Sequence, residues 1–173
     1  MVPRNNEAQR RKPHNGTSAV AMVFIIAAVM LIWASCERKP VMSHASFVHL
    51  PVSGWHSSLP LKFSPQFDDS TLTYDITLTV RHDNSYRYSN LLLVVDMVTT
   101  DSTVSRQTVN MPLADQYGNW TGGGFGALYQ NQVTLAEGVA PDDARSVVVW
   151  QAMAECDTLL GIADVGITII PNQ

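Results

Sequence analysis

Cysteine is scarce in this chain of 173 residues: there are two, Cys36 and Cys156. Two thiols cannot make a disulfide framework, so the fold has to be held by its own core. Positive charge is scarce too once the N-terminus is set aside. Four of the eleven basic residues (Arg4, Arg10, Arg11, Lys12) precede residue 19, against one acid, Glu7; the part after Ser35 carries seven basic and fourteen acidic side chains. A body near −7 has no basic stripe, which excludes ordinary recognition of a phosphate backbone. A bilayer-spanning run is also missing: AVAMVFIIAAVMLI (19–32) is fourteen residues, and a spanning helix needs roughly 20. No GxSxG elbow and no phosphate-cradling loop followed by Lys-Ser/Thr occurs, so no hydrolase or nucleotide motif suggests itself.

What the N-terminus does contain falls in a meaningful order. A basic stretch precedes the apolar run, and the run ends in LIWASC (31–36). This is the n-region, h-region and small-residue approach of a secretory signal, since the peptidase cleft takes only short side chains beside the scissile bond. Here the next residue is Cys36, whose thiol can carry a lipid. Trp33-Ala34-Ser35-Cys36 is similar to a bacterial lipobox, with Trp33 where such sequences prefer Leu. The expectation is a cleaved signal peptide over 1–35, a lipidated Cys36 with a short polar tether over 36–45, and a folded domain over 46–173. Each buried methylene of a lipid contributes about 0.8 kcal/mol, so several acyl chains would hold the protein on a membrane. Glu37-Arg38-Lys39 lacks the lysine-plus-acidic pattern of surface export, which points to the periplasmic side of an outer membrane.

From Phe47 on, the hydrophobic period is two. In LTYDITLTVRH, Leu72, Tyr74, Ile76, Leu78 and Val80 fall on one side and Thr73, Asp75, Thr77, Thr79 and Arg81 on the other, which predicts a strand with one buried face. Asp83-Asn84-Ser85 predicts a turn. In NLLLVVDMV, Leu92 and Val94 make the second face apolar as well, so this strand belongs in the middle of a sheet. TVSRQTVNM (103–111) reads as an edge strand, and ALYQNQVTL (127–135), SVVVWQAMA (146–154) and DVGITII (164–170) as further strands; Pro141–Arg145 has room for one helical turn. Several short strands separated by Gly and Pro predict an all-β, antiparallel β-sandwich, jelly-roll-like or Ig-like, of about seven to eight strands.

Candidate chemistry is thin. His44, His49, His56 and His82 follow no ligand spacing, so no metal and no cofactor is expected. Asp68-Asp69 reads as a solvated turn, Asp115 with Asn119 lacks the acidic alternation of a calcium loop, and Cys156 reads as a buried, inert thiol. GNWTGGGFG (118–126) is the most unusual loop: three successive glycines permit close approach, either to tuck Trp120 and Phe125 into the end of the sandwich or to present Trp120 to a partner.

The order of segments is informative. The lipobox cysteine is followed by LPVSGWHSSLPLKF (50–63), YDITLTVRHDNSYRYSNLLLVV (74–95), MPLADQYGNWTGGGFG (111–126) and GIADVGITII (161–170). Together they resemble the GldH family of gliding-motility lipoproteins from the Bacteroidetes, over about residues 47–170. The resemblance implies a cell-envelope lipoprotein of the gliding and secretion apparatus, with no catalytic site to carry over. It implies protein partners in the envelope, with Trp55, Arg81, Tyr86, Trp120 and Phe125 as candidate contacts, and no small-molecule substrate. A carbohydrate-binding lipoprotein is the alternative; it requires two or more coplanar exposed aromatic rings on one sheet face, with Trp55, Trp120 and Trp150 available.

Overall fold

The computed structural model describes residues 42–172; Cys36 and the signal segment lie outside the described residues. Eleven strands follow one another within them: β1 (His44–His49), β2 (Trp55–His56), β3 (Leu61–Phe63), β4 (Tyr74–Asp83), β5 (Asn90–Val98), β6 (Val104–Pro112), β7 (Gly123–Phe125), β8 (Leu128–Val139), β9 (Ser146–Gln151), β10 (Thr158–Leu159) and β11 (Ile162–Pro171). The described helical structure is a single 3-10 turn at Pro141–Asp143, where one turn was expected.

Two antiparallel sheets carry the domain, ordered β1-β11-β4-β8-β7 and β3-β9-β5-β6, with β2 and β10 forming a two-stranded sheet of their own. Leaving out the short β2, β7 and β10, the pairs are nested: the first long strand lies on the last (β1 with β11), and inside them β3 lies on β9, β4 on β8 and β5 on β6. A long hairpin rolled up on itself gives this order, which is the jelly roll of the two topologies expected.

Alternation explains why these segments became these strands. Tyr74, Ile76, Leu78 and Val80 of β4 are all buried on the inner face. Leu91, Leu93 and Val95 of β5 and Val147 and Val149 of β9 meet them from the other sheet, and Val165, Ile167 and Ile169 of β11 complete the layer. Each such side chain taken fully out of water contributes about 1.5–3 kcal/mol. β5 lies between β9 and β6, so Leu92 and Val94 are half-buried on the outer face of a central strand. β6 is an edge strand of its sheet, opposite β3, as its looser alternation predicts.

The register defines two ends. The near end holds the start of β1, the end of β11, the start of β4 and the end of β8, through the pairs His44 with Ile169, Pro171 with Tyr74, and Tyr74 with Val139. Thr100 N–H donates to the Asp142 carbonyl at 2.8 Å and brings the β5–β6 turn and the 3-10 turn together there. The far end holds the close of β1, the opening of β11 and the β4–β5 turn: Leu50 N–H donates to the Ala163 carbonyl and Asp83 N–H to the Gly161 carbonyl, both at 2.9 Å.

Candidate functional site

Successive residues of a strand face opposite ways, and at the far end of β4 this sends Arg81 outward and His82 inward. Outward, Arg81 lies in a row that crosses four strands in register: His49 pairs with Asp164, Asp164 with Arg81, and Arg81 with Gln130. A bulge in β11 between Ile162 and Asp164 sets this row, because the pairing shifts by one residue there. Arg81 Nε donates to Gln130 Oε1 at 2.8 Å, its Nη1 lies 3.8 Å from Asp164 Oδ2, and Asp164 Oδ1 lies 3.0 Å from His49 Nδ1. The guanidinium also stacks 4.3 Å from the centre of the Phe47 ring. Phe47 lies directly across from Gly166, where an added Cβ would meet the ring, so the glycine makes room for the aromatic that supports Arg81. Beside Arg81 an open groove of about 660 Å³ runs past Gln130, Gln132, Leu128, Gly123 and Gly124.

Inward, His82 is fully buried in a box of aromatic rings. Trp120 stands edge-on with ring centroids 4.6 Å apart, Tyr129 stacks at 5.5 Å, and Tyr86 tilts at 5.7 Å. His82 Nδ1 lies 3.4 Å from the Asp83 carbonyl oxygen. Asn131 lies beside the ring, and both His82 Nε2 and Asn131 Oδ1 are closed off from solvent. Burial pushes the imidazole below its ordinary value of 6.5, against smaller opposing effects of Asp83 and Asn131. Burial likewise pushes the Tyr86 phenol well up, and its hydroxyl donates to the Asn90 carbonyl at 2.7 Å.

The glycine-rich loop is tied down at several points. Trp120 Nε1 donates to Asn84 Oδ1 at 2.9 Å, Asn131 Nδ2 donates to Thr121 Oγ1 at 3.2 Å, and Thr121 N–H donates to the Leu113 carbonyl at 2.9 Å. Asp115 accepts the N–H groups of Tyr117 and Asn119 at 2.9 Å and the Asn119 amide at 3.0 Å. Its carboxylate closes a turn, and these bonds hold it below the usual carboxylate range. After the turn, Gly123–Phe125 pairs with β8 as a short edge strand.

The structure therefore brings Arg81, Trp120 and the Phe125 strand to one end of the sandwich. Two other expected contacts turn out differently. Trp55 is fully buried, its Nε1 donating to the Leu59 carbonyl at 2.8 Å, and Tyr86 is 3 % exposed; both rings serve the core and offer a partner no surface. Sequence reasoning missed His82, Tyr129 and Asn131. They sit on the inward positions of their strands, and alternation alone was a signal that could have found them. Cys156 is a half-buried free thiol packed against the core. The three described tryptophans form no platform: Trp55 is inside, Trp120 is edge-on to His82, and Trp150 is half-buried with Arg106 5.7 Å above it.

Fold and site together define a jelly-roll domain with a closed aromatic end and an outer polar row. Comparison with known proteins then places it. Residues 43–169 match the family model described as GldH lipoprotein. The chain is 30% identical over 155 residues to a gliding motility lipoprotein GldH homolog of Christiangramia forsetii, covering 85% of this chain and 93% of that protein. It is 28% identical over 153 residues to the gliding motility lipoprotein GldH of Flavobacterium johnsoniae, with the same coverage. The chain belongs to the GldH lipoprotein family. Among solved structures, the tobacco streak virus coat protein aligns with 80% of this chain and 93% of its own at 13% identity and a TM-score of 0.28, too loose a likeness to bear on fold or function.

Proposed function

We infer that the protein is a lipid-anchored interaction component of the bacterial cell envelope. It is held by acyl chains on Cys36 at the inner face of the outer membrane, works within gliding-motility or secretion machinery, and has no chemistry of its own. The observation that carries this reading is the family match starting at Ser43, seven residues beyond a cysteine that closes a secretory signal. The far end supports binding over turnover: Arg81 is engaged by Gln130 and Asp115 by the 117–119 backbone, while His82 Nε2 and Asn131 Oδ1 are closed off from solvent. The carbohydrate-binding alternative has less support, since no two of the described tryptophans share an exposed face.

Labelling cells with a fatty-acid analogue tests the reading. Wild-type protein takes up the label and fractionates with the outer membrane; Cys36→Ala does neither. An unlabelled wild-type protein, or one that begins upstream of Cys36, would overturn it. Crosslinking in cells should also recover envelope proteins of that machinery; recovering none across growth states counts against the interaction role.

A further inference from the structure

The two sheets present different outer faces. On the five-stranded sheet the centre of that face is polar: Thr77 and Thr79 of β4 pair with Thr168 and Gly166 of β11 and with Thr134 and Gln132 of β8. On β9 and β5 of the other sheet it is apolar. Val94 pairs with Trp150, Val148 stands next outward along β9 and Leu92 next outward along β5; all four are half-buried. The face runs on to Val98 and Val104, which pair with each other, Val104 being 52 % exposed. The outer face of an antiparallel sheet is ordinarily polar, and an apolar one marks a surface that meets something else.

Charge is divided in the same way. β3, β5, β6 and β9 hold Lys62 and Arg106 against Asp96, a net of +1; the strands of the five-stranded sheet hold Arg81 against Asp75, Asp83, Glu137 and Asp164, a net of −3. Arg106 and Asp96 grip each other and the guanidinium covers Trp150, which puts all three on this outer face. Lys62 is exposed between the buried Leu61 and Phe63 and pairs with Val148, so it projects from the same face. The other acids around this sheet, Asp101, Asp142, Asp143, Glu155 and Asp157, lie in the turns beyond its strands. Valine, leucine and a tryptophan with long basic side chains at the margin suit a bilayer surface. The aliphatic stems lie along the apolar surface while the charged heads reach the lipid head groups.

The length of chain before β1 says what meets this face. β1 begins at His44, eight residues after Cys36, and eight residues span at most about 30 Å when extended. A lipid on Cys36 therefore keeps the domain at the bilayer surface, at a high effective concentration, so that a face of modest affinity settles on it. We propose that the outer face of β3, β9, β5 and β6, centred on Val94 and Trp150, lies against the phospholipid head-group layer of the membrane that holds the anchor. The polar outer face with the Arg81 row is then turned away from the bilayer, where protein partners reach it. The inference rests on the lipid-anchored reading above and adds to it which face of the domain the membrane covers.

Photoreactive benzoylphenylalanine replacing Lys62, Thr108, Gln132 or Thr134, one at a time, in the full chain in living cells tests it. All four are exposed, the first two on the proposed face and the last two on the outer face of β8. Positions 62 and 108 give phospholipid adducts at a yield about tenfold above positions 132 and 134. A second readout uses the lipidated protein in vesicles of phosphatidylethanolamine and phosphatidylglycerol. Bromines on the upper acyl carbons of the lipid quench its tryptophan fluorescence, and Trp150→Phe removes that quenching. Lipid adducts in equal yield on both faces, a protein adduct in place of lipid at 62 and 108, or no adduct overturns the proposal. So does quenching that is absent in wild type or survives Trp150→Phe. Fatty-acid label on Cys36 is measured in the same cells. Label kept with no preference between the faces sinks this inference alone; label lost sinks the anchored reading beneath it.

Discussion

Trp120 stands edge-on to His82, 4.6 Å between ring centroids, and its indole N–H donates to Asn84 on the β4–β5 turn. One side chain thus fastens the glycine-rich loop to a turn 36 residues earlier.

Removing that fastener destabilises the domain. Trp120 packs against the core but remains partly exposed, so Trp120→Ala loses about 2 kcal/mol, below the range for a fully buried tryptophan. Urea unfolding shows this as a lower midpoint with an unchanged slope; an unchanged midpoint would mean the ring lies on the loop without bracing it.

Acid weakens the fold in two separate steps. His82 has a folded-state value below its ordinary 6.5, so the unfolded chain takes up the proton first. Its contribution is therefore complete above about pH 6.5 and declines as pH falls from there toward the folded value. Asp69 and Asp75 have folded values held below 3.8 by hydrogen bonds, from Thr71 in one case and from Asn172 and Gly138 in the other. Their stabilisation persists above 3.8 and is lost only as pH falls below it. Urea midpoints measured across both windows should show the upper step in wild type and not in His82→Phe. An upper step that survives in the variant assigns it elsewhere.

Two glycines with similar backbone angles respond differently to alanine. Gly138 has φ +64° and open space where a Cβ would go; Gly161 has φ +83° and the Tyr86 and Ser85 backbone in that place. Gly138→Ala costs about 1 kcal/mol, the strain of the left-handed conformation alone. Gly161→Ala has to push the β4–β5 turn away as well, and the yield of folded protein falls sharply. Comparing the two by thermal unfolding separates conformational strain from steric exclusion; equal losses would refute the distinction.

Arg106 grips Asp96 with two bonds, Nε to Oδ1 at 2.6 Å and Nη2 to Oδ2 at 2.7 Å, while covering Trp150. Asp96 is only 7 % exposed, and Arg106 holds it below the usual carboxylate range. Arg106→Ala leaves a nearly buried carboxylate unpaired, so the urea midpoint drops and the Asp96 titration moves up. Arg106→Lys restores charge without the planar fork and falls between. A lysine variant equal to wild type would show that charge alone matters.

Much of the domain was legible in its alternation. The inward set of β4 and the turn after it follow from period two and an Asp side chain that caps its own backbone: Asp83 Oδ1 accepts the Ser85 N–H at 2.7 Å. The apolar second face of NLLLVVDMV marked β5 as central, and the looser TVSRQTVNM marked β6 as an edge. Short β2, β3, β7 and β10 were not legible, because two or three residues carry no period, and β1 was not read as a strand: it begins at His44, inside the stretch read as a tether. Trp55 and Tyr86 looked like contact residues and are core, since a residue's type does not reveal which way its strand end turns.

The amino-acid sequence by itself determined which side of the long strands β4, β5 and β11 faces inward, and it supplied the motif on which the proposed lipid site rests, because alternation and a signal motif are both written in neighbouring residues. Tertiary structure decided the nesting of β1 on β11, the row from His49 through Asp164 and Arg81 to Gln130, and the closing of Trp120, Tyr129 and Tyr86 around His82. Those depend on pairings as distant as His49 with Asp164, 115 residues apart, and chain closure over that distance is set by the core as a whole and by no local pattern.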